Sequence, residues 1–246
     1  MTSKIVKRST DVEEYDGVPN HYLTRKLDNK QRKVDKHAEK YLSSFMSKDE
    51  AEQQVTTVAG EAQPFLPCVL GGETGASRHF DNTCDPQSNE EIVAFFTACV
   101  KWCVEKDKTM LLVLACHGSN SKENYKLQFE GDAKLVVPSS AISEGVRSAR
   151  KKYPSFKCVG LIEACYANYF DVSCFDASIT GGNGISRPNV LQDPLLQCMQ
   201  EEEFTLGDIF VKMSEKFALL QLFDCGDDNV ANFTSAKING NYRFKN

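Results

Sequence analysis

Hydrophobic and polar positions along the chain fall into three kinds of pattern. The first is the near-unbroken apolar run. TMLLVLAC (109–116) and FKCVGLIEAC (156–165) are far short of a membrane span and show no polar alternation, so each reads as a strand buried on both faces of a parallel sheet. A shorter run, QPFLPCVL (63–70), closes on two glycines and reads as a strand running into the irregular stretch GGETGASRHFDNTCDP (71–86).

The second pattern is helical. Ile92, Phe95, Phe96, Cys99, Val100 and Cys103 recur at helical spacing behind a Ser88 or Asn89 cap and the acidic Glu90 and Glu91. Pro138 and two serines open a second helix over 138–152, with Ile142, Val146 and Ala149 on one face and Arg-Lys-Lys at its end. A helix is also predicted over about 34–54, and one long or two short helices over 194–223. The third pattern is weaker. YFDVSCFDASIT (169–180) predicts a third strand, GGNGISRPN (181–189) a loop, and ANFTSAKINGNYRFKN (231–246) an edge strand or a hairpin turning at Asn239-Gly240. Residues 1–33 are charged and lack periodic apolar positions, so they predict a flexible segment ahead of a single domain over 34–246. The order helix, strand, helix, strand over 88–165 requires right-handed crossovers and a mainly parallel sheet, which makes the fold α/β.

Composition narrows the function classes. With 41% hydrophobic and 26% charged residues the chain is that of an ordinary globular domain. A net charge of −5 gives no electrostatic reason to expect a nucleic-acid or anionic-membrane partner. No apolar run approaches the roughly 20 residues of a membrane span, and MTSKIVKRST has no apolar stretch behind its lysines; the expected compartment is cytoplasmic. Ten cysteines are then expected as reduced thiols, most of them buried as small hydrophobes. Cys99 and Cys103 lie one helical turn apart, but no CxxC or HxxxH partner accompanies them, so neither a metal nor a cofactor is expected. The glycine-rich stretch after residue 70 lacks the Gly-Lys-Ser/Thr ending of a phosphate loop.

The chemistry is concentrated where the two buried strands end. In a parallel α/β sheet, functional groups collect at the carboxyl ends of the strands. One strand ends in Cys116-His117-Gly118 and the other in Glu163-Ala164-Cys165, with a single crossover helix between. An imidazole and a thiol on one rim suit peptide-bond cleavage, the thiolate attacking and the histidine serving as general acid and base. A glycine after the histidine lets its N–H approach a substrate; with the Cys165 N–H it could hold the oxyanion.

An apolar strand ending His-Gly, a helix, and an apolar strand ending Ala-Cys resemble the caspase–legumain superfamily of cysteine peptidases. Caspases carry Gln-Ala-Cys with the histidine about 50 residues upstream. Here the triplet is Glu163-Ala164-Cys165, closer to the legumain type, and Cys165 follows His117 by 48 positions. NEEIVAFFTACVKWCVEKDKTMLLVLACHG (89–118) resembles a caspase large subunit, and SCFDASITGGNGISRP followed by LLQCMQEEEFTLGDIFVKM is similar in layout to the small subunit; the resemblance covers about 65–225. It departs after the cysteine, where Tyr166-Ala167-Asn168 replaces a short polar or glycine-containing stretch, and the metacaspase Asp-Cys-Cys-His pattern is absent.

The resemblance implies a three-layer α/β/α sandwich of caspase or hemoglobinase type and a cysteine endopeptidase acting on peptide or protein substrates. It implies Cys165 as nucleophile, His117 as general acid/base, and Gly118 and Cys165 as oxyanion donors. Arg187 would read the substrate backbone, and Arg78 could stand where caspases hold a substrate-reading arginine. Position 163 would face the primary pocket. Caspases hold a neutral glutamine there; Glu163 would repel aspartate and favour a basic residue or asparagine. Cys165 and Ser173 leave no room for an excisable linker, so a single-chain enzyme is expected. The resemblance also allows a homodimer paired through an edge strand, for which the chain's last strand is the candidate. The alternatives are an inactive interaction or regulatory protein that kept the fold, and a transamidase or peptide ligase using the same dyad.

Overall fold

The computed structural model describes residues 52–55, 60–71, 80–129, 134–181, 190–223 and 236–246. The segment 1–33, most of the helix predicted over 34–54, Arg78 and Arg187 lie outside the described residues.

Four parallel strands form the centre of the sheet: β1 (Gln63–Leu70), β3 (Thr109–Ala115), β7 (Cys158–Glu163) and β8 (Ala177–Thr180). Their order is β8-β7-β3-β1, and their registers align Leu70 with Leu114 and Ala115 with Glu163. β2 (Thr83–Cys84) runs beside the end of β1, a short strand inside the stretch that reads as irregular in the sequence. The two long apolar runs contain β3 and β7, strands buried at every position, as predicted.

Alternate side chains leave the sheet on opposite faces. Cys68, Leu70, Met110, Leu112, Leu114, Cys158 and Ile162 pack under α1 (Asn89–Glu105) and α2 (Ser139–Lys152). Phe65, Val69, Leu111, Val113, Val159, Leu161 and Ile179 meet α3 (Gln192–Cys198) and α4 (Leu206–Phe223). The result is the three-layer α/β/α sandwich with a mainly parallel sheet. α1 begins as its sequence predicts: Ser88 Oγ accepts from the Glu91 N–H at 3.2 Å, and the Glu91 carboxylate accepts from the Gln87 N–H at 2.8 Å.

Three expectations, the extent of the third strand, the terminal hairpin and the free final edge strand, need correction. The third strand is confined to Ala177–Thr180. Ahead of it, Ala167–Tyr169 and Val172–Cys174 form single 3₁₀ turns; Asp171 closes the second, its Oδ1 accepting from the Ser173 N–H at 3.0 Å and from the Ser173 hydroxyl at 2.6 Å where a strand would run straight. The segment after 194 holds two helices, one of the two outcomes its pattern allows, α3 and α4, with the short β9 (Glu203–Thr205) between them. The chain's end turns at Gly240, whose φ is +74°, but no hairpin forms. β10 (Lys237–Asn239) joins β8 at one edge, while β11 (Arg243–Lys245) inserts between β1 and β9. The final strand is therefore paired on both sides and is not a free edge; among the described residues the edge strands are β10, β9 and the short β2.

That crossing reveals the shape of the sheet. Five inter-strand spacings separate β10 from β11 in the strand order, about 24 Å if flat, while four residue steps reach only about 14 Å. The sheet must curl. The crossing segment passes beneath the amino end of β3, where Tyr242 Oη and Thr109 Oγ1 share a 2.8 Å hydrogen bond.

A second, antiparallel ribbon completes the fold: β4 (His117–Gly118), β5 (Lys126–Gln128) and β6 (Val136–Pro138). It leaves β3 directly and leads into α2, so it carries His117.

Candidate active site

The pairing of Ala115 with Glu163 sets the geometry of the rim. Beyond that pair the Cys116 N–H still donates to the Glu163 carbonyl at 3.2 Å. His117 and Cys165 each follow two residues after the last paired positions, His117 as the first residue of β4 and Cys165 in the turn that ends β7. His117 is exposed and Cys165 half-buried.

Gly118 lies against the backbone of Cys165. A Cβ at 118 would fall 1.9 Å from the Cys165 carbonyl oxygen and 2.3 Å from Tyr125 Oη, so only a hydrogen fits. The Ser119 N–H donates to the Lys126 carbonyl at 3.0 Å, which makes Ser119 and Lys126 a bonded pair. By antiparallel alternation Gly118 and Leu127 are then a non-bonded pair, and the Gly118 N–H points away from β5. After Cys165 the chain turns sharply. Tyr166 sits in the left-handed region at φ 55°, ψ 33°, an uncommon conformation for an aromatic residue, and opens the first 3₁₀ turn.

Glu163 is 4% exposed. Its Oε2 accepts from the backbone N–H groups of Leu191 and Gln192 at 2.8 and 3.1 Å, and its Oε1 from Gln192 Nε2 at 3.1 Å. The carboxylate thus anchors the start of α3 beneath the rim. Burial, with the nearby Glu163 and Cys165 charges adding to it, pushes the Cys116 thiol up and keeps it protonated.

Several residues around Cys165 are not singled out by any motif. Tyr125, 4% exposed, donates its hydroxyl to the Cys165 carbonyl at 2.7 Å. Its ring meets Tyr169 edge-on at 6.2 Å, and Tyr169 stacks on Tyr166 at 6.0 Å. The one sequence signal for Tyr125 is the alternation of Tyr125-Lys-Leu-Gln-Phe129, whose apolar members are all buried. Leu191 and Gln192 carry no local signal.

Among the described residues no group of three or more His, Cys, Asp or Glu side chains is placed to hold a metal ion, and no helix is long and apolar enough to cross a membrane. No protein-family model matches the chain, and no curated protein does. Among solved structures it is similar to the Drosophila initiator caspase Dronc, at 11% identity and a TM-score of 0.49, over 78% of this chain and 91% of that one.

Proposed function

We propose that this chain is a single-chain cysteine endopeptidase of the caspase–legumain type. One observation carries the reading: Gly118, next to His117, lies against the backbone of Cys165, with His117 and Cys165 each two residues beyond the Ala115–Glu163 pair. In this reading the Cys165 thiolate attacks the scissile carbonyl carbon, forming a C–S bond. The Gly118 and Cys165 N–H groups hold the oxyanion. The His117 imidazolium gives its proton to the amine as the C–N bond breaks. Water then attacks the thioester, its proton passes to His117, and the C–S bond breaks to return the thiolate.

The specificity proposed is for arginine, lysine or asparagine before the scissile bond. In this reading the Glu163 carboxylate, two residues before Cys165 and bound by the start of α3, opposes an aspartate side chain by like charge. Arg187 would bind the substrate backbone, with Arg78 a second candidate.

Fluorogenic peptides differing only in the residue before the scissile bond test this, with Cys165→Ala and His117→Ala as controls. Turnover of the basic or asparaginyl peptides, lost in both variants, is expected. Cleavage confined to aspartyl peptides rejects the specificity. An acyloxymethyl ketone that fails to label Cys165, together with no turnover, favours the non-catalytic alternative. Added amine appearing in the product marks a ligase instead.

A further inference from the structure

Resting on the peptidase reading, we infer that Tyr125 is a positioning residue that sets the separation of His117 and Cys165. Two hydrogen bonds and its place in the chain make it a cross-tie between the two halves of the site. At its main chain, the Tyr125 carbonyl accepts from the Ser139 N–H at 3.0 Å, which fixes it to the start of α2. Along the chain it directly precedes β5, the strand that pairs with His117 and Gly118. At its tip the hydroxyl holds the Cys165 carbonyl at 2.7 Å.

That carbonyl is a well-chosen handle. It belongs to the peptide leading into Tyr166, the residue in the left-handed region. Such a turn is strained at an aromatic residue and persists only where its surroundings hold it. Fixing the carbonyl fixes the Cys165 backbone torsion, and with it the direction of both the Cys165 side chain and the turn. The hydroxyl bonds the same oxygen against which the Gly118 backbone lies, so the two strand ends meet at one atom that Tyr125 holds. Tyr169 closes the arrangement by packing its ring against Tyr125 and stacking on Tyr166. Burial raises the Tyr125 phenol, with the neighbouring Cys116 and Cys165 adding to the shift, so the hydroxyl stays a donor throughout the working pH range.

The test compares wild type with Tyr125→Phe, which keeps the ring and deletes the oxygen. Turnover of an arginyl or asparaginyl peptide gives kcat and KM, and an irreversible acyloxymethyl ketone counts competent sites. The kcat per titrated site is expected to fall about tenfold, with KM changing less than twofold. Tyr169→Leu, which strips the supporting ring and leaves the hydroxyl, is expected to give a smaller fall of the same kind and serves where Tyr125→Phe does not fold. A kcat per site within twofold of wild type overturns the inference. So does a loss that vanishes on normalising to titrated sites, the mark of a purely structural role. Failure of the function itself is seen separately. A wild type that turns over no peptide, and whose Cys165 reacts with iodoacetamide no faster than in His117→Ala, overturns the peptidase reading and takes the positioning role with it.

Discussion

At Gly118 a single methyl group separates two outcomes. A Cβ there would overlap the Cys165 carbonyl oxygen at 1.9 Å, and the oxygen cannot retreat because Tyr125 holds it. Gly118→Ala is therefore expected to push the two strand ends apart, lowering kcat/KM at least a hundredfold, roughly the effect of a 1 Å misplacement at a reacting centre. Steady-state kinetics checks this; activity within tenfold of wild type would mean that the ends separate without consequence. Glu163 offers a second test. In Glu163→Gln one oxygen still accepts the Leu191 and Gln192 N–H groups, but the new amide faces the Gln192 amide as donor against donor. The expected cost is about 1–2 kcal/mol, read from urea unfolding, with a rise in the kcat/KM ratio of aspartyl over arginyl peptides. A variant as stable as wild type and unchanged in that ratio would strip Glu163 of both roles. The glycine was legible because only its neighbours in the motif give it meaning. The donors to Glu163 were not, since they lie 28 and 29 positions further along the chain and no local pattern announces them.

Elements with strong periodicity were legible, and those defined by their partners were not. The long apolar runs and α1 declare themselves, because burial on both faces or along one stripe leaves its own period. The Asn239-Gly240 pair does make a turn, yet local turn chemistry cannot say whether the chain returns to its neighbour or crosses beneath a curled sheet to another edge. The β4–β6 ribbon carried a readable alternation in Tyr125–Phe129, too short to stand out beside the buried strands. Packing within an element also has consequences that sequence hides. Gly160 sits mid-strand in β7 because the Phe175 ring lies where a side chain would be, 2.6 Å from a Cβ. Phe175 is buried and stacks on Phe170 at 5.9 Å, so it has little freedom to move. Gly160→Ala is expected to cost about 1–3 kcal/mol by overpacking, seen as a lower denaturation midpoint with unchanged slope. Just ahead of Phe175, the Ser173 hydroxyl first and then Arg147 hold the Asp171 carboxyl below its ordinary value. A depressed carboxylate stabilises above its unfolded pKa and loses that contribution as pH falls through the folded one. The difference in Tm between wild type and Asp171→Asn should hold from neutral pH to about 5 and shrink below about 4. The pair is half exposed, so salt should reduce that difference as well. A difference that instead grew on acidification would exclude this assignment.

For the molecule as a whole, the decisive segment is 166–176, which joins the candidate nucleophile to the next strand of the sheet. A peptidase that matures by cutting here must offer a cleaving enzyme an extended, accessible stretch of backbone. This chain offers two 3₁₀ turns instead. Ala167, Phe170, Cys174 and Phe175 are buried in the core beneath α1 and α2. Arg147 pairs with Asp171. Asp176 accepts from Arg150 at 2.9 Å and from the Cys158 N–H at 2.8 Å, tying the segment to α2 and to the start of β7 at once. Cutting the backbone here would release buried aromatic rings and leave the Cys158 N–H without its acceptor, destabilising the same strand that carries Glu163 and leads to Cys165. Cleavage is thus expected to destroy the site rather than mature it. The measurement is the mass of the species that an activity-dependent thiol probe labels. A labelled chain that runs unbroken from Cys165 through β8 is expected. A labelled fragment that ends between 166 and 176, with undiminished turnover, would show that the site survives the cut and that the single-chain reading is wrong.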